Sequence, residues 1–267
     1  MVSSVFFKNL TKTLKRAHPA KNCYDLTLPT ATRGEQLTGL HQILTLVQRS
    51  DTTATKSEGT RVFVNVIRTL WHEDTAVDER QRAAMVVLRS PPIALTLAQL
   101  VGRSKKYPIL INEGIVALTL LSLESRASFS SSSVPPPSLI RLPSPAYIAN
   151  VVLDAITTPL PQEVSANSAP ASAAESEIGS PMTAPGRAVD LLAYLLKGRG
   201  ANVPEEVRAN ACVLLGQVAR EGGVSPERVP EVVKLKAELR PLLASATEME
   251  KESRLKTAAT GALRRWG

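Results

Sequence analysis

The chain has 267 residues and a formal net charge of +8, and 43% of its residues are hydrophobic but only 4% are aromatic. The chain has enough hydrophobic residues for a large core, but this core must consist of Leu, Ile, Val and Ala. Such a composition suits the packing of helix on helix. No apolar run reaches the ~18–20 residues of a membrane span. The two distant cysteines, Cys23 and Cys212, favour a reduced intracellular protein over a disulfide framework.

The N-terminal 33 residues form a separate basic region. Residues 1–18 are predicted to form an amphipathic helix, with Phe6, Leu10 and Leu14 on one face and lysines opposite. Such a helix suits a mitochondrial targeting peptide, a helix on a membrane surface, or a partial first repeat that packs on the next one. We expect a cytoplasmic protein, or a mitochondrial one if residues 1–33 act as an address.

Helices dominate the first half of the chain. The apolar spacing predicts them at residues 34–48, 57–71, 78–88, 93–101 and 109–124. Ser57 is expected to cap the second of them, Pro91 and Pro92 to interrupt the chain, and Gly102 to end the fourth. The helix at 109–124 is apolar nearly all round, so we expect it to be buried on several sides. A glycine inside a helix lowers its stability by about 1 kcal/mol relative to alanine. Gly114 therefore predicts that another helix approaches closely at this point.

Two Ser-, Pro- and Ala-rich inserts, residues 124–145 and 159–186, cannot bury enough apolar surface to be ordered on their own. Further helices are predicted at residues 147–157, 187–197, 204–220, 226–243 and 248–266. The chain therefore begins with a basic amphipathic arm or partial first repeat at residues 1–33 and a first block of repeats at residues 34–123. A single repeat helix at residues 146–158 follows the first insert, and a C-terminal block of repeats at residues 187–267 follows the second.

One helical pattern occurs four times, with a small residue followed four positions later by a large apolar one. The small residues are Gly59, Gly114, Ala211 and Ala259, separated by 55, 97 and 48 residues. The last interval suits a helical repeat of ~40–47 residues, and 97 is about two repeats with inserted loops. With no convincing strand in the chain, the pattern predicts an all-α fold, an armadillo- or HEAT-like α-solenoid with two disordered inserts.

Catalytic and metal-binding patterns are missing from the sequence. The three histidines, His18, His41 and His72, lie in separate segments without a carboxylate or cysteine at ligand spacing, whereas a zinc site needs about four ligands. Neither a phosphate-binding loop nor a nucleophile elbow occurs. We therefore expect a non-catalytic binding protein with no metal and no cofactor.

A solenoid binds its partners on the face built from one helix of each repeat. In armadillo repeats an asparagine two positions beyond the large apolar residue of this pattern often lines the groove. Here those positions hold Asn65, Leu120, Gln217 and Arg265. Arg61 and Arg68 share an exposed stripe with Asn65, at spacings of four and three. The predicted partner-binding residues are Arg61, Asn65, Arg68, Gln217 and Arg265.

The helix that begins at Asn112, reading Asn-Glu-Gly-Ile-Val-Ala-Leu-Thr-Leu-Leu, resembles the Asn-Glu-Ala-x-x-Ala-Leu helix of the SmgGDS family. Ser57-Glu58-Gly59-Thr60-Arg61 is similar to another repeat of that family. These armadillo-repeat proteins are GDP dissociation stimulators. The resemblance implies a cofactor-free guanine nucleotide exchange factor or chaperone for prenylated small GTPases of the Ras and Rho type. It also implies a fragment, or one end, of a longer solenoid.

Two other functions remain open. One is a generic armadillo scaffold or cargo adaptor, importin-like or myosin-chaperone-like, without exchange activity. The other is a nucleic-acid-binding or mitochondrial protein that depends on the basic arm. Few aromatic or Arg-rich stripes occur in the repeats, which disfavours nucleic acid. Membrane contact is expected only through a partner or the N-terminal helix.

Overall fold

The computed structural model describes residues 39–72, 86–123, 144–161, 186–197, 203–220, 222–248 and 253–267. Across these ranges the chain is helical and contains no strand, apart from an isolated bridge between Pro159 and Arg187. The predicted N-terminal arm, the interiors of both predicted inserts and most of the predicted helix at residues 78–88 lie outside the described residues.

The described ranges contain nine α-helices with defined bounds, and residues 86–88 are also helical. In chain order they are α1 Gly39–Arg49, α2 Thr53–His72, α3 Pro91–Arg103, α4 Pro108–Ser122, α5 Pro145–Thr157, α6 Ala188–Leu196, α7 Glu205–Val218, α8 Val229–Thr247 and α9 Ser253–Trp266. A short 3-10 turn, Pro226–Arg228, precedes α8.

The helices form two layers. In the first layer α2, α4, α7 and α9 pack side by side in that order, and each carries one of the recurring small residues. In the second layer α1, α3, α6 and α8 pack in order, and each backs one helix of the first layer. The remaining helix, α5, packs against both layers. One continuous apolar core runs from Leu44 to Trp266, so the described residues form the all-α, armadillo-like solenoid that the repeat spacing predicted.

Small residues set the distance between the layers. A Cβ added at Gly114 would lie 2.6 Å from Cγ2 of Val101 in α3, and one added at Gly59 would lie 2.6 Å from Cγ2 of Val47 in α1. Because both contacts occur at the same repeat position, the glycines let successive helix pairs approach equally closely. The predicted close approach at Gly114 is confirmed.

Two residues predicted to mark helix boundaries, Ser57 and Gly102, lie inside helices. Ser57 does not cap α2, because that helix begins at Thr53 and the Thr52 hydroxyl accepts a hydrogen bond from the Thr55 backbone N–H at 3.2 Å. Gly102 does not end α3, which continues to Arg103. A Cβ at Gly102 would lie 2.5 Å from Cδ1 of Leu160, so the glycine makes room for that side chain.

The prolines lie at positions where helices tolerate them. Pro91 and Pro92 occupy the first turn of α3, where N–H groups have no intrahelical acceptor, and the predicted interruption of the chain lies just before them, at Arg89 and Ser90. Pro230 occupies the first turn of α8 in the same way, and α8 continues through Pro241 to Thr247.

The two ends of the second predicted insert are joined. The Leu160 N–H donates to the Gly186 carbonyl at 2.7 Å, beside the bridge between Pro159 and Arg187. Arg103 at the end of α3 donates to the Pro161 carbonyl at 3.0 Å. The outermost residues of this predicted insert therefore belong to the folded solenoid.

Candidate partner-binding face

The first layer has one side that points away from the second layer, and we call this side the open face. On α2 it carries Arg61, Asn65 and Arg68, and all three are exposed. The spacing of four and three residues places them on one stripe, as the sequence predicted. Gln217 of α7 is half-buried and Arg265 of α9 is exposed, at the repeat position of Asn65.

Arg61 of this stripe joins two helices of the first layer. Its Nε donates to Glu113 Oε1 of α4 at 2.6 Å, and an NH1 hydrogen bond at 3.0 Å reaches Glu58 Oε1. The hydrogen bond and the negative charge of Glu113 raise the pKa of Arg61 above its ordinary value. Arg61 therefore ties α2 to α4.

A repeated polar contact fixes the register of the first layer. Glu113 Oε1 also accepts a hydrogen bond from Ser57 Oγ of α2 at 2.9 Å. In the next pair of helices, Asn210 Nδ2 of α7 donates to Asn112 Oδ1 of α4 at 2.7 Å. Ser57 and Asn112 both precede their repeat's small residue by two positions, and Glu113 and Asn210 precede theirs by one. In both pairs of helices, the position two before the small residue therefore meets the position one before the small residue of the next helix.

Apolar periodicity does not predict this contact, but the polar residues of the sequence do signal it. Polar residues fill both positions before the small residue in Ser57-Glu58-Gly59 and in Asn112-Glu113-Gly114. The family resemblance rests on these same residues. In this chain Asn112 forms a hydrogen bond with α7, and Glu113 forms one with α2. Gly114 allows α3 to approach closely, so each of the three has a role in the fold.

The last pair of the first layer, α7 and α9, is joined differently. In α9 the position equivalent to Glu113 and Asn210 is Ala258, whose side chain cannot form a hydrogen bond. Glu205 Oε1 of α7 accepts hydrogen bonds from the N–H groups of Arg254 and Leu255 at 2.7 and 3.1 Å, and so caps α9 from a neighbouring helix. Trp266, which is 3% exposed, donates its indole N–H to the Leu215 carbonyl at 3.1 Å.

The register aligns three rows of residues across the open face. One row holds Asn65, Leu120, Gln217 and Arg265, a second holds Arg61, Val116, Val213 and Gly261, and a third holds Arg68, Leu123 and Arg220. The half-buried Val116, Leu120 and Val213 make its middle apolar. Arg68 and Arg265, on the two outer helices, make no hydrogen bond or ion pair within the described part of the chain.

The acidic groups of the first layer are mostly engaged elsewhere. Glu58 and Glu113 pair with Arg61, and Glu205 caps α9. Glu206 lies in the first turn of α7, where it favours the helix dipole. No carboxylate of the described residues occupies the three rows, so the exposed guanidinium groups give this part of the open face a positive charge.

Reactive groups are few across the described ranges. Within them no three His, Cys, Asp or Glu side chains gather to hold a metal ion, and none of their helices is long and apolar enough to cross a bilayer. Burial raises the pKa of the Cys212 thiol to about 12, so this thiol stays protonated at neutral pH.

A cleft of about 580 Å³ lies between α5 and α8, at the base of the second predicted insert. Its charged side chains neutralise one another, because Arg228 pairs with Asp154 at 2.9 Å and with Glu231 at 2.8 Å. Desolvation raises the pKa of Asp154, although the charge of Arg228 opposes this shift. The cleft is therefore a less promising site than the open face.

Comparison with known proteins adds little to this description. No family model and no curated protein matches the chain. Among solved structures the chain is similar to a designed armadillo repeat protein, YIII(Dq)4CqI, at 11% identity and a TM-score of 0.23, over 85% of this chain and 99% of that one. A structural similarity this low does not establish the fold, which follows instead from the helix packing. The resemblance to the SmgGDS family stays a prediction.

Proposed function

We propose that this protein is a non-catalytic, protein-binding scaffold or adaptor that holds a partner on its open face. The observation that carries the proposal is the exposure of Arg68 and Arg265 on the two outer helices of the first layer, without any described partner group. Exposed arginines without a described hydrogen-bond or ion-pair partner can serve recognition, for which Arg is enriched in interfaces.

The stack of helices favours such a role. Its first-layer helices are joined by the partly buried contact of Asn112 with Asn210 and by the buried contact of Trp266 with Leu215. A surface that is already ordered loses little conformational entropy when a partner docks, so more of the contact energy appears as affinity.

A finer proposal is that the partner is a prenylated small GTPase of the Ras or Rho type, and that the protein stimulates release of its GDP. Support for this comes from the resemblance at Asn112, Glu113 and Gly114. Since these residues hold helices together in this chain, they support the fold more than the activity. We therefore favour the adaptor without exchange activity and treat exchange as the second candidate.

Two measurements test these proposals. Immobilised wild-type protein should capture partners from a lysate, and the triple substitution R68A/Q217A/R265A should lose them. The control variant K197A/K234A removes two exposed lysines of the second layer and should still capture the partners. Capture that survives the triple substitution would refute the open face as the binding surface.

The second measurement is release of fluorescent GDP from a panel of purified Ras- and Rho-type GTPases. Acceleration by the wild-type protein, lost in R68A/Q217A/R265A, would establish the exchange factor. Unchanged release across the panel, together with capture that depends on the open face, would leave the adaptor.

A further inference from the structure

We propose that the open face binds an acidic, extended protein segment that carries apolar side chains in its middle. Arg68 and Arg265 would receive the carboxylates of the segment, and the apolar residues of α4 and α7 would receive its apolar side chains. This inference rests on the proposed protein-binding function and specifies the chemistry of the partner.

The charge distribution points to an acidic occupant. Arg68 lies on α2 and Arg265 on α9, so the two guanidinium groups stand at opposite sides of the described first layer. Of the four described first-layer acids, Glu58 and Glu113 pair with Arg61, Glu205 caps α9, and Glu206 lies in the first turn of α7. Guanidinium groups bind carboxylates in a bidentate manner, which makes an Asp- or Glu-containing segment the matching ligand.

The middle of the open face points to apolar side chains between those carboxylates. In the row of Asn65, Leu120 occupies the position at which an amide would hold the backbone of a partner. Leu120 cannot form such a hydrogen bond, but together with the half-buried Val116 and Val213 it provides apolar surface. A segment that places a Leu, Ile or Val there would remove this surface from water.

The dimensions favour an extended chain. Adjacent packed helices lie 8–10 Å apart, so the four first-layer helices span roughly 24–30 Å, a distance that about eight extended residues cover at ~3.3 Å each. A helical segment would need about twice that number at 1.5 Å per residue.

Single-stranded nucleic acid would also satisfy the positive charge, but it needs aromatic side chains on which its bases stack. Among the described side chains of the three rows there is no Phe, Tyr or Trp. The surface is therefore better suited to the carboxylates and apolar side chains of a protein segment than to a polynucleotide.

Fluorescence anisotropy with three labelled peptides of about twelve residues, enough to span the face, tests this inference on the full chain. All three carry two central Leu residues, and the other positions are Glu, Gln or Lys. We expect the Glu peptide to bind about tenfold more tightly than the Gln peptide, and the Lys peptide not to bind. Raising the NaCl concentration should weaken binding of the Glu peptide, because exposed charges are screened.

Variants locate the site. R68E/R265E should weaken binding of the Glu peptide by at least about tenfold, whereas K197E/K234E, with the same charge change on the second layer, should leave it within about twofold. Leu120→Asp should also weaken it, because the carboxylate repels the ligand and removes apolar contact. Circular dichroism of each variant separates loss of binding from loss of fold.

Several results would overturn the inference: equal affinity for the Glu and Gln peptides, no binding of the Glu peptide, equal losses in the two charge variants, or tighter binding of single-stranded RNA at the same site. Each of these is distinguishable from failure of the proposed function. If open-face variants still lose partners captured from the lysate, protein binding stands while its acidic specificity falls.

Discussion

The side chain of Asn210 donates a hydrogen bond to Asn112 across 2.7 Å, although 98 residues separate the two along the chain. Between them lie both predicted inserts, so this amide pair shows that the repeat register continues across both. The contact of Ser57 with Glu113 spans 56 residues in the same geometry. The first three helices of the first layer, α2, α4 and α7, are therefore held together by the same two positions of the repeat.

Removing this amide pair should destabilise the solenoid. Asn112→Ala and Asn210→Ala each remove a partly buried hydrogen bond, and we expect each to lower the free energy of unfolding by about 1–2 kcal/mol, as measured by urea denaturation. The double variant should lose less unfolding free energy than the two single variants together, because neither amide is then left without its partner. Strict additivity of the two losses would show that the amides do not interact.

Adding a methyl group at Gly114 should be destabilising, because the new Cβ would lie 2.6 Å from Val101 Cγ2. Overpacking of this kind costs about 1–3 kcal/mol, which exceeds the roughly 1 kcal/mol that alanine gains over glycine in a helix. We expect Gly114→Ala to lower the midpoint of thermal unfolding.

Gly261 provides the matched control. It lies in α9, and the nearest atom to an added Cβ is NH1 of Arg265 at 3.7 Å, at the end of a flexible side chain. Gly261→Ala should therefore raise the midpoint. If both variants shift it in the same direction, the close helix approach at Gly114 is not the cause.

Glu205 should matter more than its neighbour Glu206. Glu205 accepts hydrogen bonds from two N–H groups at the start of α9, so Glu205→Ala should cost about 1–2 kcal/mol of unfolding free energy, the usual effect of losing a helix cap. Glu206 is exposed, and Glu206→Ala should change stability by less than about 0.5 kcal/mol. Urea denaturation of the two variants in parallel makes the comparison, and equal losses would contradict the cap.

Cys212 should be unreactive in the folded protein. It is fully buried, and burial raises the pKa of its thiol to about 12 from an ordinary value of 9.0. In a Cys23→Ser background, a disulfide reagent such as Ellman's should modify Cys212 rapidly in urea and at least about a hundredfold more slowly without it. Equal rates would place the thiol at the surface.

The same pKa shift has a consequence for stability. Between pH 9 and 12 the unfolded thiol loses its proton while the folded thiol keeps it, so the folded state binds more protons. The contribution of Cys212 is therefore fully present below pH 9 and is lost as the pH rises towards 12. Cys212→Ala should make the unfolding free energy fall less steeply over that interval, and identical slopes would count against the buried thiol.

Helices and their repeat follow from local information. The apolar spacing around Gly59 and Gly114 identified α2 and α4, because the side of a helix on which a residue lies depends only on its neighbours along the chain. The exposed stripe of Arg61, Asn65 and Arg68 could be predicted for the same reason. Whether those residues bind a partner stays a prediction.

Other assignments needed the fold. Local rules place Ser57 at a cap and Gly102 at a helix end, but the serine meets Glu113 and the glycine meets Leu160. A local rule cannot foresee a partner more than fifty residues away.

The positions of the apolar faces and the recurrence of four similar helices follow from the sequence alone, since periodicity is a property of each helix. Which polar side chains hold the stack together, and which make no described contact across it, depends on how the helices pack. Arg61 and Arg68 look alike in the sequence, yet packing of α4 against α2 brings Glu113 to Arg61 and brings no described carboxylate to Arg68. That difference depends on the distance between atoms of separate helices, which no local pattern records.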